Sequence, residues 1–184
     1  QQRHAVILAH YYVPDEVQAI ADYIGDSHYL SELATTIDAQ TLVLCGVRFM
    51  GESAKILNPG KTVLLPDQQA DCPMAHMAQV EAIEQIRAQY GSDVAVVCYI
   101  NSTAALKCHA DVCVTSSNAQ KVVAALPQPY IYFIPDANLG RHIASQLPQK
   151  HFLFNRGHCP IHVRITAQDV QAQKARYPDA LGLV

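Results

Sequence analysis

Two cysteines stand in the same local setting. Cys72-Pro73-Met74-Ala75 and Cys159-Pro160-Ile161-His162 lie 87 positions apart. Each follows a short apolar run and precedes a segment that reads as a helix start. Soft thiolates select iron–sulfur clusters or zinc, and a helix N-terminus favours the thiolate that metals need. Three such units around an axis would gather three thiolates. A four-iron cluster held that way leaves one iron open as a Lewis acid toward a substrate oxygen or nitrogen. Two other readings stay open: buried structural cysteines at equivalent turns, and a zinc site of Cys159 with His158 and His162. Neither histidine has a counterpart beside Cys72.

A second set of polar residues falls where apolar strands end. These are His10-Tyr11-Tyr12, Gly25-Asp26-Ser27, Tyr99-Ile100-Asn101, Thr115-Ser116-Ser117-Asn118, Asp136 and Asn138. Open parallel sheets bind ligands beyond the carboxyl ends of their strands. Ser, Asn and Asp serve equally well as helix caps, but capping does not account for His10, Tyr12 and Tyr99. The Thr115 to Asn118 segment sits before a helix, where backbone N–H groups suit a phosphate or carboxylate. There is no Walker A pattern and no G-x-G-x-x-G after a strand, so neither a nucleoside triphosphate nor a dinucleotide is indicated. Cys45, Cys98 and Cys113 read as core residues of apolar strands, and Cys108 as part of a short helix. Arg48, Lys55 and Arg141 fit either a solvated surface or an anion contact.

The elements that must position these residues alternate. Val6 to Ala9, Leu42 to Cys45, and Thr62 to Leu65 read as buried strands. Pro14 opens a helix whose apolar positions are Val17, Ile20, Ala21 and Ile24, with Tyr23-Ile24 also readable as a short strand. Leu30, Leu33, Ala34 and Ile37 mark a second helix, Met50, Ala54 and Leu57 a third, and Val80, Ile83, Arg87 and Tyr90 another that ends at Gly91. Short unbroken apolar strands interleaved with helices predict a parallel sheet covered on both faces.

The chain also repeats itself. Ala21-Asp22, Ser27, Gly51 and Lys61 recur 89 positions later as Ala110-Asp111, Ser116, Gly140 and Lys150. Cys72-Pro73 and Tyr90 recur 87 positions later as Cys159-Pro160 and Tyr177. The expected fold class is therefore α/β, built from tandem three-layer α-β-α repeats with parallel sheets. The expected units are residues 1–72, 73–159 and 160–184, the last being the start of a third repeat whose first strand is Asp179 to Val184.

Composition excludes several classes. Half of the 184 residues are hydrophobic and 16% are charged, which argues against disorder. A net charge of −3 offers no basic footprint for nucleic acid or an anionic membrane. No apolar run is long enough to span a bilayer, and none near the start suits a signal peptide. The absent initiator Met points to a processed piece. The six cysteines contain no C-x-x-C pair, which fits free thiols in a reducing cytoplasm.

The motifs ILAHYY (7–12), IADYIGDS (20–27), CGVRFMGESAKILNP (45–59), KTVLLPD (61–67), DCPMA (71–75), YINS (99–102), DVCVTSSNA (111–119), PDANLGR (135–141) and GHCPIH (157–162) together resemble the quinolinate synthase family of NAD biosynthesis. The resemblance runs through essentially the whole chain. It implies three α-β-α domains with pseudo-three-fold symmetry and a [4Fe-4S] cluster bound by one cysteine from each. Cys72 and Cys159 match the first two ligands. The third, with a His-x-Glu segment, is implied to lie beyond Val184, so that this chain alone would be inactive. The implied substrates are iminoaspartate, supplied by L-aspartate oxidase or a dehydrogenase, and dihydroxyacetone phosphate. The implied products are quinolinate, phosphate and water. His10, Ser27, Tyr99, Asn101 and Ser116 match substrate-binding positions, and Tyr12 a catalytic tyrosine. With Tyr99, His10 and Tyr12 form the expected proton-transfer set. The alternative expectation is a metal-free module of α/β repeats that binds a small anion.

Overall fold

The computed structural model describes residues 4–181. Two four-stranded parallel sheets follow one another along the chain. The first holds β1 (Ala5–His10), β2 (Tyr23–Gly25), β3 (Thr41–Cys45) and β4 (Thr62–Leu64) in the order β2-β1-β3-β4. The second holds β5 (Val94–Tyr99), β6 (Val112–Val114), β7 (Tyr130–Ile134) and β8 (His151–Phe154) in the order β6-β5-β7-β8. The chain thus reverses its winding direction between β1 and β3, and again between β5 and β7. In such doubly wound sheets a crevice opens at that reversal, outside the carboxyl ends of the strands.

The helices between the strands are α1 (Asp15–Gln18), α2 (Ser27–Thr36), α3 (Arg48–Leu57), α4 (Val80–Tyr90), α5 (Ala104–Cys108), α6 (Ala119–Ala125), α7 (Ala137–Gln146) and α8 (Ala167–Arg176). Leu8, Leu42 and Leu44 pack with Leu30 and Ala34 of α2 and Met50 and Ala54 of α3. The second sheet is covered on both faces. Ala95, Val97, Ile131 and Phe133 meet α6 and α7, while Val96, Cys98, Tyr132 and Ile134 meet Ile83 of α4 and Leu106 of α5. Each large apolar side chain buried this way contributes about 1.5–3 kcal/mol.

The sequence repeat does the same structural work in each sheet. The Asp22 carboxylate accepts from Ile7 N–H at 2.8 Å, and Asp111 accepts from Val96 N–H at 2.7 Å. Each ties the start of an edge strand to the central strand. The Lys61 ammonium donates to the carbonyls of Ala34 and Ile37 at the end of α2. Lys150 donates to those of Leu126 and Gln128 at the end of α6. Cations at helix C-termini satisfy carbonyls that have no helical partner.

Four expectations are corrected. The helix from Pro14 is only Asp15–Gln18 and Ile20 is exposed, while the short strand expected at Tyr23-Ile24 is present as Tyr23–Gly25. Pairing of Leu8, Ala9 and His10 with Tyr23, Ile24 and Gly25 overrides an eight-residue periodicity. Cys113 is exposed and Cys45 only half-buried. β6 is the outer strand of its sheet and leaves one side of Cys113 open. The segments after Cys72 and Cys159 are 3-10 turns, Pro73–His76 and His162–Arg164, not α-helices, so they carry little of the dipole expected to act on those thiols. The expected opening strand of a third unit is irregular at Asp179, Ala180 and Leu181. Its remainder lies outside the described residues.

Candidate functional site

His10 ends β1 and Tyr99 ends β5, 89 positions on. The same interval relates Tyr12 to Asn101 and Ser27 to Ser116. The two triplets are therefore one constellation built twice. The repeat register already contained the first two pairings, which motif reading passed over.

In the first sheet, His10 pairs with Gly25, so Asp26 and Ser27 begin beside it. The Asp26 carboxylate accepts from Tyr29 N–H at 2.8 Å and caps α2, leaving Ser27 in its first turn. Gly25 is required by close approach, since a Cβ there would lie 2.2 Å from the Tyr29 ring. His10 Nδ1 accepts from the Tyr12 N–H at 3.2 Å, which assigns the proton of the neutral ring to Nε2. Burial lowers the His10 pKa below 6.5, with the Asp26 charge opposing. At neutral pH His10 is thus an uncharged donor. The Tyr12 ring meets His10 edge-on, with centroids 4.7 Å apart, and is 88% exposed.

In the second sheet, Tyr99 pairs with Val114, and Ile100 N–H donates to the Val114 carbonyl at 2.9 Å. Asn101 and Ser116 follow on the two adjoining loops. The Thr115 N–H donates to Asn118 Oδ1 at 2.7 Å, and the Thr115 and Ser117 hydroxyls bond at 2.9 Å. These bonds fold the turn and leave Ser116 exposed. The Asp136 carboxylate caps α7 by accepting from the N–H groups of Asn138 and Leu139.

Tyr99 is where the two sheets meet chemically. Its pKa is pushed up to about 12, first by burial and then by the charges of Asp136, Cys159, Cys72 and Tyr12. Groups from both sheets thus lie within electrostatic reach of one phenol, which stays protonated at neutral pH. The segments carrying the two cysteines are also joined directly. Asn155 Nδ2 donates to the carbonyls of Met77 and Pro135 at 2.9 and 2.8 Å, and His158 N–H donates to the Met77 sulfur at 3.4 Å. Gly157 lies inside this junction, where a Cβ would come 2.4 Å from the Pro135 carbonyl oxygen. Asn155 and Met77 carry no motif signal, because their role is set by a contact 78 positions apart.

Cys72 and Cys159 are both half-buried free thiols. Among the described residues no three His, Cys, Asp or Glu side chains form a metal-binding group, so Cys159, His158 and His162 do not make the zinc site held open above. Two half-buried soft thiols that both act on the Tyr99 phenol are of the type that ligates a thiolate-bound cluster, with further ligands from elsewhere. Beside Cys159, Arg141, Arg156, His158 and Asn138 line a cleft of about 300 Å³. Among the described residues no helix is long and apolar enough to cross a membrane.

Two parallel sheets, with His10 and Tyr99 at the carboxyl ends of their central strands and Cys72 and Cys159 in the loops after their edge strands β4 and β8, define a doubly wound α/β protein. Comparison with known proteins gives the family. The Quinolinate synthetase A protein family matches residues 1–184, and the chain belongs to it. The quinolinate synthase of Fusobacterium nucleatum subsp. nucleatum is 49% identical over 180 residues, 98% of this chain and 60% of that protein. The quinolinate synthase of Clostridioides difficile is 49% identical over 184 residues, all of this chain and 60% of that protein. The quinolinate synthase of Geobacter metallireducens is 51% identical over 181 residues, 98% of this chain and 59% of that protein. The chain spans about 60% of the length of these curated relatives.

Proposed function

We propose that the protein to which this chain belongs condenses iminoaspartate with dihydroxyacetone phosphate to give quinolinate, phosphate and water. The observation that supports the reading most is that Asp136, Cys159, Cys72 and Tyr12 all act electrostatically on the largely buried Tyr99 phenol. In this reading Cys72 and Cys159 hold a [4Fe-4S] cluster with a third cysteine outside this chain. The division into units at 1–72, 73–159 and 160–184 follows from the same reading. The cytoplasm and a supply of substrate by L-aspartate oxidase complete it. When bound, the cluster supplies a Lewis-acidic iron with an open coordination position.

The chain's own residues divide the remaining work. Ser27, Asn101 and Ser116 offer neutral donors to the carboxylates and phosphate of the substrates. His10, neutral and protonated at Nε2, donates to a carbonyl oxygen on which negative charge develops. Tyr99 remains a phenol and delivers a proton to a departing hydroxyl, which leaves as water. Tyr12, exposed and packed on His10, moves a proton between that pair and the substrate. The cationic cleft beside Cys159 draws the anionic reactants in.

The test is the iron and acid-labile sulfide content of the protein at its natural length, purified without oxygen, beside Cys72→Ser and Cys159→Ser. About four irons and four sulfides, lost in both variants, are expected. Quinolinate formation from the two substrates should vanish with them. A folded protein without iron in any version overturns the reading and favours the metal-free anion-binding module, for which the Arg141 and Arg156 cleft would suffice.

A further inference from the structure

Outside that rim, the cysteines pair in a way the function does not use. Cys98 and Cys113 are in-register neighbours on the parallel strands β5 and β6. In-register residues project to the same face, and adjacent strands lie about 4.7–4.9 Å apart. That spacing falls within the Cα range of disulfides, about 4.4–6.8 Å. The Cys98 thiol donates to the Tyr99 carbonyl at 3.6 Å, and each of the two thiols shifts the other's pKa. Cys98 is wholly buried, whereas Cys113 is exposed on the outer strand.

The Lys107 ammonium of α5 completes the cluster. It is largely enclosed, donates to Ser53 Oγ at 2.6 Å and sits 5.6 Å from the Phe49 ring centre. Its Nζ makes no ion pair within 4.0 Å among the described residues. The charged and titratable groups acting here are Cys98 from β5, Lys107 from α5 and, through Lys107, Glu52 from α3.

We propose that Cys98 and Cys113 form a redox modification site, in which the solvent-facing Cys113 reacts with a hydroperoxide and the buried Cys98 closes a cross-strand disulfide. The Cys113 thiolate attacks the terminal peroxide oxygen and the O–O bond breaks, giving a sulfenic acid and an alkoxide that takes up a proton to become the alcohol, or hydroxide that becomes water when the oxidant is hydrogen peroxide. The Cys98 sulfur then attacks the sulfenic sulfur, and the S–O bond breaks. The departing hydroxide takes the Cys98 proton and leaves as water. Two thiols lose two electrons in total, and one hydroperoxide is reduced to water and an alcohol, or to two waters if it is hydrogen peroxide.

The chemistry assigns distinct tasks to the two sulfurs. The adjacent Cys98 thiol, and more weakly the Lys107 charge, lower the Cys113 pKa to about 7 against the opposing effect of burial. The adjacent Cys113 thiol and burial push Cys98 upward. The accessible sulfur is therefore the nucleophile, and the buried one waits as a thiol beside it. The disulfide pins β5 to β6 immediately before the loops that carry Asn101 and Ser116. Its formation does not depend on the proposed activity.

The test uses the protein at its natural length with Cys108→Ser, reduced and then exposed to stepwise hydrogen peroxide. Free thiols are blocked with N-ethylmaleimide and the protein is digested with trypsin. Cleavage after Lys107 separates the Cys98 and Cys113 peptides, so the expected product is the pair 88–107 and 108–121 joined and two hydrogens lighter. Cys113→Ser should abolish it. Cys98→Ala should leave Cys113 as a sulfenic acid that dimedone traps. Lys107→Met should slow Cys113 alkylation at pH 7 and raise the midpoint of its pH profile. The slowing should stay below the roughly tenfold that a full return to the ordinary range would bring, because the Lys107 charge is the weaker of the two lowering effects. Cys113 overoxidised while Cys98 stays free for alkylation after denaturation would overturn the proposal. So would Cys113 alkylation no faster than that of Cys108 in the parent protein.

Discussion

Asn155→Leu tests the junction that brings the two cysteine segments together. The amide donates to two carbonyls, Pro135 O at 2.8 Å and Met77 O at 2.9 Å. Pro135 is buried and Met77 half-buried, so water replaces the lost donor at one more easily than at the other. A carbonyl left unpaired costs about 1–3 kcal/mol. Taking about 2 kcal/mol for Pro135 and about 1 kcal/mol for Met77, less a fraction of a kcal/mol for the added apolar contact, gives roughly 2–3 kcal/mol. For a chain of this size that lowers Tm by roughly 5–10 °C. The sequence has no tryptophan, so urea and thermal unfolding are followed by tyrosine fluorescence and far-ultraviolet circular dichroism. Asn155→Asp sharpens the test. It keeps the shape but turns both contacts into oxygen facing oxygen, with added charge near Asp136. It should cost more than Leu at pH 7. Its carboxyl pKa in the folded state must then exceed the unfolded value near 3.9. Relative to the parent at each pH, the variant's stability is greatest at low pH and falls as pH rises through the folded pKa. A loss below about 0.5 kcal/mol for Leu, within the range of ordinary surface substitutions, would refute the reasoning. So would an Asp variant no worse than Leu at pH 7.

Three further outcomes follow from the same geometry. Lys61→Met and Lys150→Met should each cost about 1–2 kcal/mol in urea unfolding, because each strands two carbonyls near a helix end. The double variant should be additive, since the two lysines share no partner. Gly157→Ala should cost about 1–3 kcal/mol, because its Cβ meets the Pro135 carbonyl, whereas Gly25→Ala should cost less because the half-exposed Tyr29 ring can turn away. A Gly25 effect equal to or larger than the Gly157 effect would be the wrong order. Burial lowers the His10 pKa below 6.5, so the unfolded chain takes the proton more readily. Stability should therefore be lost as pH falls through 6.5 toward the folded pKa. His10→Gln should flatten that loss, while Asp26→Asn should move the His10 Cε1–H titration seen by NMR further down.

The sequence by itself determined the α/β class, the repeat and the equivalence of Cys72 with Cys159. Those rest on local periodicity and on a register in which Asp22 and Asp111, or Lys61 and Lys150, perform one task twice. Such residues act within their own sheet, so their meaning survives in a one-dimensional reading. Tertiary structure decided what local pattern leaves open. The Pro14 to Ile24 segment carries too few turns to specify a helix, and pairing with β1 drew Tyr23–Gly25 into the sheet. Cys113 reads as apolar core, but only strand order reveals that β6 is an edge and that its neighbour is Cys98. The site shows the same division. The residue types at the strand ends were legible, but the combined electrostatic effect of Cys72, Cys159, Asp136 and Tyr12 on Tyr99 required the two sheets to dock. That docking includes Ala104 N–H donating to Glu52 and Lys107 donating to Ser53, partners 52 and 54 positions apart, and no spacing rule encodes a contact made only after both sheets have folded.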